Sequence, residues 1–223
     1  MPHHYASDAG EAPQTAGRIL RWARWYDLVG WLMSGGRLPE IRRETLDVAA
    51  PQPGESVLDV GCGTGTLTLG AARRVGPGAR VSGIDASPDM IATARRKAEK
   101  QGVAIDFRLA AVEELPFEKA EFDVVLSSLM LHHLPDDVKL QGLAEISRVL
   151  KSGGRLVAVD LGARGLHIMG LIGHRMPKDY GERLKAMTAR AGFESVELVA
   201  TRFKQLVFLR ARTPAAVGER SNP

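Results

Sequence analysis

Apolar positions change their spacing along this 223-residue chain, and the changes mark out its elements. Trp22, Trp25, Tyr26, Val29, Leu32 and Met33 recur at helical spacing with Arg18, Arg21 and Arg24 on the flank, predicting a basic amphipathic helix that Gly35-Gly36 closes. A second helix is expected from Pro39 to about Ala50, after which Pro51-Gln52-Pro53-Gly54 turns the chain into a β-branched strand at Val57. Beyond it, short apolar runs alternate with helical stripes. Strands are expected at Val81–Asp85, Ile105–Leu109, Phe122–Ser128 and Arg155–Leu161. Helices are expected from Pro88 to Gly102, from about Pro135 to Leu150, and near Lys178–Ala191. Ser87 reads as an N-cap with Pro88 at the first helical position, and Gly153-Gly154 as a turn into the fifth strand. The last two runs, Val196–Thr201 and Gln205–Arg212, lie too close together for a parallel crossover and predict an antiparallel hairpin at a sheet edge. Such alternation is the signature of an α/β fold with a parallel sheet. Residues 1–14 and 213–223 lack periodicity and read as a disordered leader and tail. Between them, 15–212 reads as one domain whose residues 15–50 form a helical lid.

Composition narrows this only modestly. A 44% hydrophobic content suits one large core, and a single cysteine excludes a disulfide framework. With no signal-peptide pattern and no long apolar run, a cytoplasmic location is the expectation. A charge of +4 and a pI near 9.4 do not by themselves imply a nucleic-acid partner. The tryptophans and arginines of the first helix carry two compatible expectations: a lid packed on the domain, and peripheral contact with the inner face of a membrane. Leu166–His174 is a second apolar patch, and its Ile168–Ile172 stretch is expected to roof a compact acceptor pocket with Trp22 and Tyr26. Its His167 and His174 lack a nearby carboxylate and make a poor metal site.

The chemistry concentrates in Val57-Leu58-Asp59-Val60-Gly61-Cys62-Gly63-Thr64-Gly65-Thr66-Leu67, a strand, a glycine turn and a helix start. Alternate glycines and helix-terminal amides invite a polar ligand. The spacing is G-x-G-x-G, and Asp59 stands just before it. A carboxylate there repels the pyrophosphate of a dinucleotide and attracts an amino group. Asp85, ending the second strand, is placed to accept from two ribose hydroxyls. The two acids outline S-adenosylmethionine. A nicotinamide-dependent oxidoreductase and a non-catalytic methyltransferase-like binding subunit remain as alternatives.

These residues resemble class I S-adenosylmethionine-dependent methyltransferases, within the small-molecule group of quinone, sterol, phospholipid and phosphobase enzymes. The resemblance spans roughly Tyr26 to Leu161. It rests on the glycine turn together with Gly83-Ile84-Asp85-Ala86-Ser87-Pro88, Glu113-Glu114-Leu115-Pro116-Phe117, Phe122-Asp123-Val124-Val125, Leu131-His132-His133-Leu134 and Arg148-Val149-Leu150-Lys151-Ser152-Gly153-Gly154, in that order. It implies a doubly wound, Rossmann-like seven-stranded sheet of order 3-2-1-4-5-7-6, with the last strand antiparallel and a helical lid. It also implies a cofactor site. Asp59 and the Gly61, Cys62, Gly63 and Gly65 backbone would hold the methionine end and Asp85 the ribose. Ala86 and Met90 would flank the adenine, with the Val112 amide meeting a ring nitrogen. Many relatives carry an aspartate at the position of Ala111 that accepts from the adenine amino group; here either Glu113 substitutes for it or the adenine is held mainly by packing. Ser127 and Tyr26 complete the expected cofactor surroundings.

Methyl transfer from a sulfonium is a displacement that needs alignment, and it needs a base only for a protonated acceptor. His132 and His133 follow the fourth strand at the edge where open α/β sheets bind ligands. Their structural alternative is packing and capping. By resemblance to phosphobase methyltransferases, His133 with Tyr26 is the candidate catalytic dyad. The expected acceptor is small and lipophilic, a lipid headgroup or a quinone ring, with no nucleic acid.

Overall fold

The computed structural model of the chain describes residues 35–162 and 176–215. Its centre is β1 (Val57–Val60), every side chain of which is buried. Parallel neighbours flank it: β2 (Val81–Asp85) and β3 (Asp106–Leu109) on one side, β4 (Phe122–Ser128) and β5 (Leu150–Leu161) on the other. Next to β5, β7 (Leu206–Arg212) runs antiparallel, and β6 (Glu194–Leu198) pairs with it at the edge, giving the sheet order 3-2-1-4-5-7-6. The expected strand order and terminal hairpin are both present.

Burial on both faces follows from the period of two along each strand. Leu58 and Val60 of β1 pack with Leu143, Ile146 and Val149 of α4 (Asp136–Val149) and Leu184 of α5 (Tyr180–Arg190). Val57 faces the other way, with Leu46 and Ala49 of α1 (Leu38–Ala49) and Leu67 and Ala71 of α2 (Thr66–Val75). Helix α3 (Pro88–Lys100) covers β2 and β3 with Ile91, Ala94 and Ala98 against Phe107. No helix among the described residues is long and apolar enough to cross a membrane.

Several expectations are corrected. Strand β5 begins at Leu150 and runs through Gly153-Gly154. The pairs Phe122↔Leu150 and Val124↔Arg155 show that the glycines make an irregularity within the strand, not a turn before it. Ser87 begins α3, but its hydroxyl caps nothing: its own N–H donates to Asp85 Oδ1 at 2.9 Å, so the strand-end carboxylate orders the helix entry. Helix α1, expected within the lid, is a layer of the sheet, because Ile41, Leu46 and Ala49 form a stripe buried against the strands. Thr213 and Pro214, placed in the tail by composition, are tied to β5: Thr213 N–H donates to Gly154 O at 3.0 Å and Gly153 N–H to Pro214 O at 3.2 Å. The leader, the helix bearing Tyr26 and the tryptophans, the Leu166–His174 patch and residues 216–223 lie outside the described residues.

Candidate active site

The parallel strands all end on one edge, and the glycine turn leaves β1 there. Gly61, Gly63 and Gly65 have φ of +71°, +53° and +75°, a region side chains resist. Space excludes side chains as firmly. A Cβ on Gly61 would lie 2.4 Å from Met130 Cγ, and one on Gly65 would lie 2.8 Å from Phe107 Cζ. Glycine is therefore demanded at these two places by packing from within the protein. Cys62 turns inward, 8% exposed, its N–H bonded to Ile84 O at 2.8 Å and its thiol pushed well above the ordinary range by burial. It is a small residue of the turn.

Asp85 is the organiser at this edge. Its Oδ2 accepts from Gly63 N–H and its Oδ1 from Ser87 N–H, both at 2.9 Å, so one carboxylate fixes the turn and the start of α3. Each oxygen keeps a lone pair for a further donor. Burial raises its pKa, against the lowering effect of those two backbone bonds.

Asp59 lies deeper than a position at the mouth of the turn, at 1% exposure, and its Oδ2 accepts from Thr68 Oγ1 at 2.6 Å. Burial pushes its pKa up to about 7, with the charge of Asp85 adding to the rise while Thr68 and Arg42 oppose it. Two buried carboxylates, with the charge of Asp85 felt at Asp59, favour a ligand carrying positive charge.

Beside them, Ala86 is half-buried and Met90 buried at the start of α3, while Ala111 and Val112 are buried where β3 gives way to the next loop. That loop is pinned from α4. Arg148 donates to the carbonyls of Leu115 (3.0 Å) and Phe117 (2.9 Å), Glu145 accepts from Leu115 N–H at 2.9 Å, and Gln141 donates to Glu113 O at 3.1 Å. Glu113 itself is half-buried. Ser127 is buried at the end of β4, its hydroxyl without a hydrogen-bond partner among the described residues.

After β4 the chain reverses sharply: Leu129 has φ +57°, and Leu131–His133 forms a 3₁₀ turn. The His133 ring is half-buried and lies against His132 at a tilt of 41°, with centroids 3.9 Å apart. His132 Nδ1 is bonded to Asp160 Oδ1, and Asp160 Oδ2 accepts from the Tyr180 hydroxyl at 2.8 Å. Burial and the neighbouring Asp160 push the Tyr180 phenol far up, so it stays a donor. The structure thus gathers Asp59, Gly61, Cys62, Gly63, Gly65, Asp85, Ala86, Met90, Ala111, Val112, Glu113, Ser127 and His133 around the C-terminal ends of the strands. Tyr26 lies outside the described residues. Thr68, Asp160 and Tyr180 escape sequence reasoning. Only Asp160 leaves a signal, as a lone acid in the apolar run Leu156–Leu161.

A family described as a methyltransferase domain matches residues 57–154. The demethylmenaquinone methyltransferase of Thermus thermophilus is 35% identical over 195 residues, which span 75% of this chain and 87% of that protein. A ubiquinone/menaquinone biosynthesis C-methyltransferase of Vibrio vulnificus is 32% identical over 76% of each chain. Among solved structures, a SAM dependent methyltransferase from Aquifex aeolicus shares the fold, with a TM-score of 0.66 and 22% identity over 77% of this chain and 88% of that one.

Proposed function

This chain belongs to the class I S-adenosylmethionine-dependent methyltransferases that act on small molecules, and on that footing we propose that it methylates a lipophilic, quinone-like ring. The observation that carries the assignment of the site is the carboxylate pair on the glycine turn. Asp59 suits an amino-acid ammonium, and Asp85, already oriented by two backbone amides, suits a ribose diol. The Gly61–Gly65 backbone lines the methionine end. Ala86 and Met90 flank the base, and Val112 presents its amide from the loop that Arg148 pins. Ala111 offers no acceptor, so Glu113 and packing take that part. Ser127 stands at the end of β4 with a hydroxyl ready for a ligand.

S-adenosylmethionine supplies a methyl group on a positively charged sulfur. The protein's contribution is to hold donor and acceptor in line in a site that excludes water. The relatives named for menaquinone and ubiquinone biosynthesis support the quinone-like acceptor. Membrane contact by the segment carrying Trp22, Trp25 and Trp31, which the sequence spacing predicts as a helix, belongs to the same proposal, since quinones reside in lipid.

Calorimetry with S-adenosylhomocysteine and with NADH, followed by an acceptor screen with and without anionic vesicles, tests this reading. Binding of S-adenosylhomocysteine but not NADH, and product formation from reduced naphthoquinones, is expected. NADH binding without S-adenosylhomocysteine binding would overturn it.

A further inference from the structure

The C-terminal edge of the sheet has a polar half and an apolar half. Asp59, Asp85 and the glycine turn make the first, where β1 and β2 end. The second begins at the exit of β4, where Leu129, Met130 and Leu134 are each half-buried, as is Met176. Met130, Leu134 and Met176 pack on the core under α4 and α5, while Leu129 and Met176 pack with Val159 and Leu161 at the end of β5. Met176 touches both groups and joins them.

Met130 is the member of this strip that reaches the glycine turn. Its side chain folds over Gly61: a Cβ on that glycine would lie 2.8 Å from Met130 Cβ and 3.7 Å from its terminal methyl, Cε. Root and tip of the side chain thus lie over one residue, the first of the turn. The backbone that brings it there is fixed on both sides. Leu129, with φ +57°, donates its N–H to Val159 O at 2.7 Å, and Met130 O accepts from His133 N–H at 3.0 Å. A left-handed leucine persists only where its surroundings impose it, and such positions gather at ligand sites. What this one delivers is a half-buried, unbranched thioether at the seam of the two halves. Methionine adapts its shape through three rotatable bonds and makes favourable sulfur contacts with aromatic rings.

We propose that Met130 is the residue that selects the acceptor, by forming the wall against which a flat aromatic ring lies beside the methyl donor. This deepens the methyltransferase reading above and rests on its quinone-like acceptor. On that reading the methionine end of the cofactor runs along Gly61–Gly65, so its sulfur lies next to the residue that Met130 covers. The acceptor atom must come into line with that sulfur, which brings the ring against the side chain standing over Gly61. Leu129 and Met176 continue the wall towards β5, where the rest of a wide acceptor would run. Met130 sets the place and width of the ring and takes no part in breaking bonds. A narrow ring is misplaced when such a wall retreats, and a wide one is excluded when it advances.

The test uses 1,4-benzohydroquinone and 1,4-naphthohydroquinone, kept reduced under nitrogen, and reads kcat/KM from S-adenosylhomocysteine formation. Met130→Ala is expected to raise the preference for two rings over one about tenfold, and Met130→Phe to lower it about tenfold, while Met130→Leu stays within about threefold of wild type. S-adenosylhomocysteine affinity by calorimetry should stay within about threefold in all three, because none of them branches at Cβ, where Gly61 is close. An unchanged preference in both Met130→Ala and Met130→Phe, or variants that lose only S-adenosylhomocysteine affinity, would overturn the assignment and leave Met130 as packing for the turn.

Carbon-13 methionine-methyl spectra give a readout independent of turnover. With S-adenosylhomocysteine bound, 1,4-naphthohydroquinone should move the Met130 signal, assigned by its loss in Met130→Leu, furthest among the seven methionines. A Met130 signal that stays in place counts against the proposal. If the wild type binds S-adenosylhomocysteine yet methylates neither hydroquinone, the quinone-like acceptor fails, and the methyl signal then decides by itself whether Met130 faces a bound ring.

Discussion

Asp59 shows how a residue can be set against stability for the sake of binding. Its ordinary pKa of 3.8 rises to about 7, chiefly through burial. The folded state therefore holds a proton that the unfolded chain has released between about pH 4 and 7, and stability falls as pH rises through that window. Asp59→Asn keeps an oxygen for Thr68 and removes the buried charge. It should stabilise the free protein by about 1–3 kcal/mol above pH 7, the gain fading towards pH 4, as read by urea melts across pH. The same substitution should weaken S-adenosylhomocysteine binding by tenfold or more, since the ammonium loses its counter-charge. In the wild type a cationic ligand favours the ionised carboxylate, so binding below about pH 7 should release a proton. Calorimetry of the complex in buffers of differing ionisation heat will show this, and Asp59→Asn should abolish it. Asp59 could be singled out in the sequence because its position before the glycines speaks for charge. Its depth could not, because the depth is set by Thr68, nine residues on and in another element.

At the scale of elements, two motif segments far apart in sequence turn out to be halves of one device. Arg148 and Glu145 of α4 clasp the Leu115–Phe117 backbone, and the same helix meets Val112 at Gly142, where a Cβ would lie 2.7 Å from Val112 Cγ2. Alanine in a helix ordinarily favours folding over glycine. Here Gly142→Ala should instead cost about 1–3 kcal/mol by overpacking and weaken S-adenosylhomocysteine binding, because it displaces the loop expected at the adenine. Adding Val112→Ala should recover part of both losses, which a double-mutant cycle by melting and calorimetry will measure. Strand and helix types were readable because period and punctuation are local: Phe122–Ser128 is both expected and observed. What escaped was long-range. Gly153-Gly154 looks like a turn locally, yet pairing with β4 and β7 draws it into a strand. Asp123 reads as part of a family motif, but it binds Ser56 (2.6 Å) and Lys151 (2.7 Å) at the edge away from the site, a structural role.

Across the whole molecule, the two edges of the sheet divide the work. Turns, carboxylates and histidines occupy the C-terminal edge, while the opposite edge is sewn together. Arg155 is the main stitch there: its guanidinium donates to Ala49 O at 2.6 Å and Ala50 O at 2.9 Å and grips Glu55 at 2.6 Å, holding that carboxyl below its ordinary range. Arg155→Ala strands the last carbonyls of α1 and should cost about 1–3 kcal/mol. With the active edge untouched, affinity for S-adenosylhomocysteine below the melting temperature should not change. Glu55, ionised only while folded in the range just below its ordinary pKa, adds stability that disappears as pH falls through that range.

Thr213 and Pro214 are anchored at this same sewn edge, beside Gly153 and Gly154. The polypeptide therefore leaves the sheet on the side facing away from the glycine turn. For anyone attaching the protein to a sensor chip or resin, a linker joined beyond Pro214 keeps the catalytic mouth turned outward, open to dissolved molecules or to a vesicle brought up to it.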